Sequence, residues 1–340
     1  MNLVNRALKA GGRISPLIVP AEMTNGSGLM NPSVFVDDDG DVLVNIRHVN
    51  YIFYHAEAAQ RFISVWGPLS YLHPEKHMVL STTNYLCKLD ENLAVERVTA
   101  VDMALDIEPV WEFIGLEDAR LVKWEGEYFL CGVRRDVLPS RTGQPGEGRM
   151  EYTKIKLDKE AWTATEVMRK RIPAPGPDNG YCEKNWMPVL DKPYNFVKWT
   201  MPTQLVESFP YNETMTCEEV VLKQTPQAPS DQRGGSHVVK WGDYYITFTH
   251  EVNLWYNYLN QKDATYRHRL VVWDSEFNFL GLSPEPLSFL DAYVEFCTGA
   301  AIYKNDLLIS FGYQDNAAFV LQAPKAMIDE LITEAVTNGN

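Results

Sequence analysis

The stretch GLEDARLVKWEGEYFLCGVRRD, residues 115–136, sets the reading of the whole chain. It opens on a turn glycine and two adjacent carboxylates, Glu117 and Asp118, with Arg120 two residues on. An alternating apolar run follows, then a polar Trp-Glu-Gly-Glu turn, then a second short apolar run that closes on Arg134 and Arg135. By pattern this is a β-hairpin. A strand that begins with so much charge either starts in a solvated loop or aims Asp118 and Arg120 into a pocket.

Four other stretches repeat the phrase. They are NPSVFVDDDGDVLVNIR (31–47), EKNWMPVLDKPYNFVKW (183–199), GGSHVVKWGDYYITFTHE (234–251) and CTGAAIYKNDLLISFGYQD (297–315). Each starts small or polar and continues as a short apolar strand, a polar turn and a second apolar strand. Between them NYLCKLDENLAVERV, EYTKIKLDKEAWTATEVM and RLVVWDSEFNFLGLS read as further strand–turn–strand units. Recurrence of one hairpin phrase, with other strands between, is the pattern of radially repeated sheets. The chain is therefore predicted to be all-β, a five-bladed β-propeller over residues 1–322 followed by a C-terminal helix and tail over 323–340. A sandwich or barrel is the competing arrangement of many short strands. The phrases start 51 to 84 residues apart, more than the roughly 40–50 residues of a minimal four-stranded blade. The excess is assigned to loops at 48–74, 139–149 and 200–216. In the tail, Ala326, Ile328, Leu331, Ile332 and Val336 recur near helical spacing and predict an amphipathic helix.

Composition narrows the function. Of 340 residues 45% are hydrophobic and 22% charged, enough to bury a large core. Tyrosine (17), phenylalanine (14) and tryptophan (9) suit strands, core packing and sugar platforms. The net charge of −14 argues against a nucleic-acid partner, although an acidic average permits a local basic pocket. Five cysteines, Cys87, Cys131, Cys182, Cys217 and Cys297, are an odd number with no CxxC. They predict free thiols in a reducing compartment rather than a disulfide framework or zinc site. The N-terminus lacks an uninterrupted apolar segment with a cleavage site, and no apolar run is long enough for a membrane span. A cytoplasmic protein without membrane contact is the expectation, and a homo-oligomer is compatible with it.

In a propeller the starts of the innermost strands converge on a central channel. The repeats place Asn31 with Ser33, Glu117 with Asp118 and Arg120, Lys184 with Asn185, Ser236 with His237, and Thr298 near that centre. Second strands end at Arg47, Arg134 with Arg135, Lys198, His250 with Glu251, and Asp315. Polar residues at equivalent places in every repeat are hard to explain as surface decoration. Asp118 and Asp315 are candidates for holding sugar hydroxyls or donating a proton. Arg47, Lys184 and His250, with Arg169 or Arg171, are candidates for holding an anion. Arg134 and Arg135 read as a solvated loop end. A glycosidase needs two carboxylates. A phosphorylase needs one, because phosphate is the nucleophile and cations replace the second acid. No metal-spacing cluster is apparent.

These segments resemble glycoside hydrolase family 130, the β-mannoside phosphorylases and related β-mannosidases on a five-bladed propeller. GLEDAR is similar to the family's Gly-x-Glu-Asp-Pro-Arg motif. NPSVFV with VNIR is similar to its first-blade Asn-Pro segment and arginine. KNWMPV, YYITFTHE and ISFGYQDNAAFVLQA resemble its Lys-Asn/Asp, Tyr-His-Gly and Gly-x-x-Asp segments. The order holds over roughly residues 31–322. The resemblance implies that Asp118 is the general acid, its proton passing through the mannose 3-hydroxyl. It implies that Asn31, Ser33 and Arg47 help form the sugar and phosphate sites, with Glu117, Arg120 and Asn185 beside them. Lys184 and His250, assisted by Arg169 or Arg171, would bind phosphate, and Asp315 would hold the sugar. Inorganic phosphate would be a co-substrate, with no other cofactor. The implied partners are a small carbohydrate and phosphate or a sugar phosphate. Two departures stand out: Ala119 occupies the proline position and Glu251 the glycine position. The segment 48–85 matches nothing in the family; Trp66, Tyr71, His73 and His77 within it either cap an acceptor site or pack. PAPGPDNGY (173–181) reads as a rigid loop that could border the pocket. A related propeller family of mannosyltransferases uses nucleotide-mannose donors. Transfer from a nucleotide sugar, hydrolysis by Asp118 with Glu117, Glu251 or Glu295, and non-catalytic sugar binding therefore stay open.

Overall fold

A computed structural model describes residues 2–24, 28–52, 61–64, 67–71, 80–105, 108–136, 146–176, 181–256 and 262–338. Trp66, His73 and His77, the side chain of Tyr71, and much of the 139–149 and 173–181 loops lie outside the described residues.

Alternation of apolar and polar residues yields strands, and the tight turns between them pair those strands in sequence order. The first set is Leu29–Val36, Val42–Val49, Leu80–Leu89 and Val95–Asp102, each antiparallel to the next. Glu117–Trp124, Glu127–Arg134, Arg149–Asp158 and Thr163–Arg171 repeat the scheme. A short parallel contact between Ala164–Thr165 and Val101–Asp102 joins the edges of these two sets into one larger sheet. Met187–Pro188, Asn195–Trp199, Thr203–Glu207 and Glu218–Lys223 form the third. Its first strand is cut to two residues at Pro188, which has no N–H for a longer ladder. In the fourth, Gln232–Arg233 and Val239–Trp241 both pair with the long strand Tyr244–Tyr256, followed by Lys262–Trp273 and Phe279–Leu282. The fifth comprises Glu295–Tyr303, Asp306–Tyr313 and Ala317–Ala323, completed by Arg13–Pro16 from the N-terminus. A small sheet of Tyr51–Ile52, Arg61–Ser64 and Gly67–Tyr71 lies within the 48–85 segment.

The period of two sends successive residues to opposite faces, and each face has its own core. Val34, Val44 and Cys87 pack against Leu308 and Val320 of the fifth set. Phe35, Leu43 and Leu86 pack instead against Leu121, Leu130 and Ile155 of the second. Val122, Phe129 and Tyr152 meet Trp186 and Phe196 of the third. Met187, Val197 and Leu205 meet Val271 and Trp273 of the fourth. Ile246, Phe248 and Leu270 meet Ile309 and Phe311 of the fifth. Every set thus shares one core with the set before it and one with the set after, and the cycle closes between fifth and first.

The C-terminal helix spans Lys325–Asn338 and buries Met327, Ile328, Leu331, Ile332 and Ala335 in the core between the fourth and fifth sets. Met327 rather than Ala326 takes the buried position there. An N-terminal helix, Leu3–Lys9, joins the same core through Leu3, Val4 and Ala7. Arg6 ties the two helices by ion pairs to Glu330 at 3.0 Å and Glu334 at 2.8 Å. All five cysteines are free, with Cys87, Cys131 and Cys297 buried. No described helix is long and apolar enough to cross a membrane.

Candidate active site

The innermost strands do not start as regular ladders. The register slips between Met30 and Ser33, between Glu117 and Arg120, and between Cys297 and Gly299. At the first two slips Asn31 and Asp118 adopt φ of +48°, and Asn185 takes +60° at the matching place in the third set. Left-handed backbone costs a side-chain-bearing residue about 1–3 kcal/mol, least for Asn and Asp. All three positions are Asn or Asp, and all three side chains turn off the strand into one cavity of about 330 Å³. Gly312 is required opposite: a Cβ there would lie 2.5 Å from Asn31 Oδ1.

Asp118 is the hub. Its Oδ1 accepts from Asn31 Nδ2 at 2.7 Å and from Arg47 Nη1 at 2.8 Å. Burial alone would raise its pKa, but the charges of Arg47 and Arg120 and the bond from Asn31 outweigh it and hold the carboxyl at about 2. In the resting cavity Asp118 is therefore ionised at neutral pH. Arg47 also donates to Tyr51 Oη at 3.0 Å and contacts Glu117 at 3.7 Å. Glu117 in turn lies 3.4 Å from Arg135 Nε.

Of the residues expected at the site, Asn31, Arg47, Glu117, Asp118, Lys184, Asn185, His250 and Asp315 all line this cavity. Ser33 and Arg120 lie beneath it. Ser33 is fully buried and its Oγ accepts from Leu121 N at 2.9 Å. Arg120, 1% exposed, donates to the carbonyls of Asp118 at 2.6 Å and Gly235 at 2.8 Å. It fixes the backbone that carries Asp118 rather than reaching into the cavity. His237, buried alongside, spans Leu121 O at 3.0 Å and Ala300 N at 3.2 Å, and burial pushes its pKa down to about 3. Thr298 donates to Pro32 O at 2.8 Å. These polar bonds knit the inner strands into a floor.

Arg169 and Arg171 do not line the cavity. They sit on Thr163–Arg171, the last strand of the second set, where Arg169 grips Glu166 at 2.6 Å and Arg171 donates to Glu147 O at 2.8 Å. The remaining cavity arginines are Arg135 and Arg233. The Arg134–Arg135 pair is no solvated loop end: Arg134 is buried against Glu151 at 2.9 Å, and Arg135 faces the cavity. Arg233 immediately precedes the fourth phrase, so extending that phrase by one residue would have found it. Tyr51, Trp111, Phe113, Tyr266 and Phe296 supply apolar walls that no repeat position announced.

Cations are in excess here. No carboxylate among the described residues forms an ion pair with Lys184, and Arg233 pairs only with the exposed Asp231 at 2.6 Å. Both also border a smaller adjoining cavity of about 150 Å³, flanked by Tyr181 and Trp199 with ring centroids 5.8 Å apart. His250, 3% exposed, stacks on Tyr266 at 5.4 Å and 18° and donates from Nδ1 to Gly234 O at 2.8 Å. Burial, with His268, Arg233 and Lys184 nearby, lowers its pKa well below the usual 6.5. The cavity thus sets the ionised Asp118, braced by Arg47 and Asn31, beside cations suited to an anionic ligand.

No protein-family model matches the chain. Comparison with curated proteins finds no match either. Solved structures do match it over nearly its whole length. A β-1,2-mannobiose phosphorylase from Listeria innocua, solved with β-1,2-mannobiose, aligns at TM-score 0.53 and 12% identity, over 93% of this chain and 96% of that one. MPT-4, a mannose phosphorylase from Leishmania mexicana solved with phosphate, aligns at TM-score 0.50 and 10% identity, over 94% and 92%. A structure described with the GH130 glycoside hydrolases that target β-1,2-mannosidic linkages in Candida mannan aligns at TM-score 0.54 and 12% identity, over 88% and 85%. At such identities the likeness is one of fold.

Proposed function

We propose that the five strand sets are the blades of a β-propeller spanning residues 1–322, with 323–340 an appended helix and tail. Its central cavity is the active site of an inverting β-mannoside phosphorylase. The closed cycle of five shared cores supports the propeller. One observation carries the activity: Asp118, braced by Arg47 and Asn31, shares a cavity with Lys184, which no described carboxylate pairs.

Phosphate is held by Lys184, Arg233 and His250, with Arg135 near, and attacks the anomeric carbon. A carbon–oxygen bond to phosphate forms as the glycosidic bond breaks, and the leaving oxygen takes a proton from Asp118 through the mannose 3-hydroxyl. Asp315 and Asn31 orient the sugar. Fixing phosphate in line and stripping its water contribute orientation and charge stabilisation together. The resting ionised Asp118 is the form needed for synthesis, in which an acceptor hydroxyl gives up its proton. Phosphorolysis needs it protonated. A bound phosphate and sugar favour that form, because both a nearby negative charge and lost water raise a carboxyl's pKa. The chain's free cysteines fit a reducing, cytoplasmic setting.

Incubation with β-1,2-mannobiose and other β-mannosides, with and without phosphate, tests the reading. Turnover should require phosphate and release mannose 1-phosphate; turnover unchanged without phosphate contradicts it. The adjoining cavity favours a second reading, transfer from a nucleotide sugar. Lys184 and Arg233 would then bridge a diphosphate, while Tyr181 and Trp199 stack a base. Thermal stabilisation by GDP-mannose, and none by phosphate, would select it.

A further inference from the structure

The way His250 is anchored dictates what it can offer a ligand. A backbone carbonyl only accepts, so the Gly234 bond at 2.8 Å places a proton on Nδ1. A neutral ring then carries a bare lone pair on Nε2. Of the ring's two nitrogens, Nε2 is left to the cavity, since Nδ1 is committed to the strand.

The surroundings keep the ring neutral. It is 3% exposed, stacked on Tyr266 and edge-on to Phe296 at 4.5 Å. The charged or titratable groups facing it are Lys184, Arg233, His268 and Tyr266. None is an acid, and no described carboxylate comes within ion-pair reach to stabilise an imidazolium. Its strand neighbour Glu251 is taken up by Arg269 at 3.3 Å and by Ser230.

We infer that His250 is a hydrogen-bond acceptor in the anion site and selects a tetrahedral anion that carries a proton. Lys184 and Arg233 hold the unprotonated oxygens of phosphate, and His250 receives the P–OH. This orients the anion, leaving a bare oxygen free to attack. Sulfate has the same shape and the same double charge as hydrogen phosphate but no proton at neutral pH. It would set an oxygen lone pair against the Nε2 lone pair of a ring that is itself buried. The inference rests on the phosphorylase reading for the identity of the anion.

Isothermal titration of the full-length protein with inorganic phosphate, arsenate and sulfate at pH 7.5 tests it. Phosphate and arsenate, both protonated at that pH, should bind about 10- to 100-fold more tightly than sulfate, the factor expected for a buried acceptor left unsatisfied. In His250→Gln, whose amide can turn its N–H₂ to the ligand, the ratio should fall to within about threefold. If that variant does not fold, the wild-type ratio decides alone. Phosphate and sulfate binding equally to the wild type overturns the inference while phosphate-dependent turnover still stands. Failure of all three anions to bind, with turnover indifferent to phosphate, overturns the phosphorylase reading and the inference with it.

Discussion

Strands Leu29–Val36 and Glu117–Trp124 carry a charge cluster at each end, and the two clusters are built on opposite logic. At the turn end, Lys123 reaches Asp37 at 2.7 Å and Asp38 at 2.8 Å. Lys159 reaches Asp37 and Asp39 at 2.6 Å and Asp41 at 3.1 Å. Lys88 takes Asp41 at 2.8 Å, and Tyr128 donates to Asp37. Three lysines meet four aspartates and every one of the seven has a partner, so the knot ties the first set to the second. At the cavity end Arg47, Glu117, Asp118 and Arg135 are mutually engaged, and no described carboxylate forms an ion pair with Lys184. Charge paired across strands fastens them. Charge left without a partner in a cleft is a candidate for binding.

Neutralising one aspartate at each end should separate the two clusters most strongly. Asp118→Asn should lower turnover by about 10²–10⁴-fold, the range for loss of a general acid. Circular dichroism should show the fold retained. Asp37→Asn should do the reverse. It strips two half-buried lysines of a shared buried partner and should cost about 1–3 kcal/mol in denaturant unfolding, between the ranges for exposed and buried pairs, with turnover per folded molecule unchanged. Removing the surplus cation comes next. Lys184→Met should raise the phosphate KM about 10- to 100-fold, as loss of a charge-assisted contact predicts, and leave the melting temperature near the wild-type value.

The smallest effect is on pH. Asp118 has its folded pKa lowered to about 2 from an ordinary 3.8. Its stabilising contribution is thus fully present above the unfolded value and is lost as pH falls from about 4 toward 2. Wild-type unfolding free energy should drop by about 2 kcal/mol more than that of Asp118→Asn across this interval. Parallel acid curves for the two proteins would show that Arg47 does not depress Asp118 in the folded state.

The two clusters were not equally legible in sequence. The repeat phrase located the cavity residues Asn31, Asp118, Lys184, Asn185, His250 and Asp315, because the starts and ends of the phrase recur at equivalent places, although the strand of His250 runs on to Tyr256. It could not separate Arg134 from Arg135. A β-bulge shifts the period-two parity, and only the folded register shows which arginine faces inward. Ser33 and Arg120 share that ambiguity: they sit at inner strand starts but point down into the floor. Arg169 and Arg171 were misplaced because proximity in sequence to Lys184 says nothing of position within a sheet, and they lie on its outermost strand. The turn-end knot was hidden for a different reason. DDDGD reads as a solvated turn, and Lys123 and Lys159 come from hairpins about 90 and 120 residues away. The pairing of Arg13–Pro16 with Ala317–Ala323 is equally non-local. Local periodicity predicted the C-terminal helix but could not foresee that closure.

In the proposed phosphorylase reaction Asp118 and a cationic cradle act on the same anomeric carbon. Following β-1,2-mannobiose and phosphate by ³¹P and ¹H NMR tests it most directly. α-Mannose 1-phosphate and free mannose should appear in equal amounts, with neither formed by Asp118→Asn at a comparable rate. Free mannose alone, released at the same rate with or without phosphate, would contradict it.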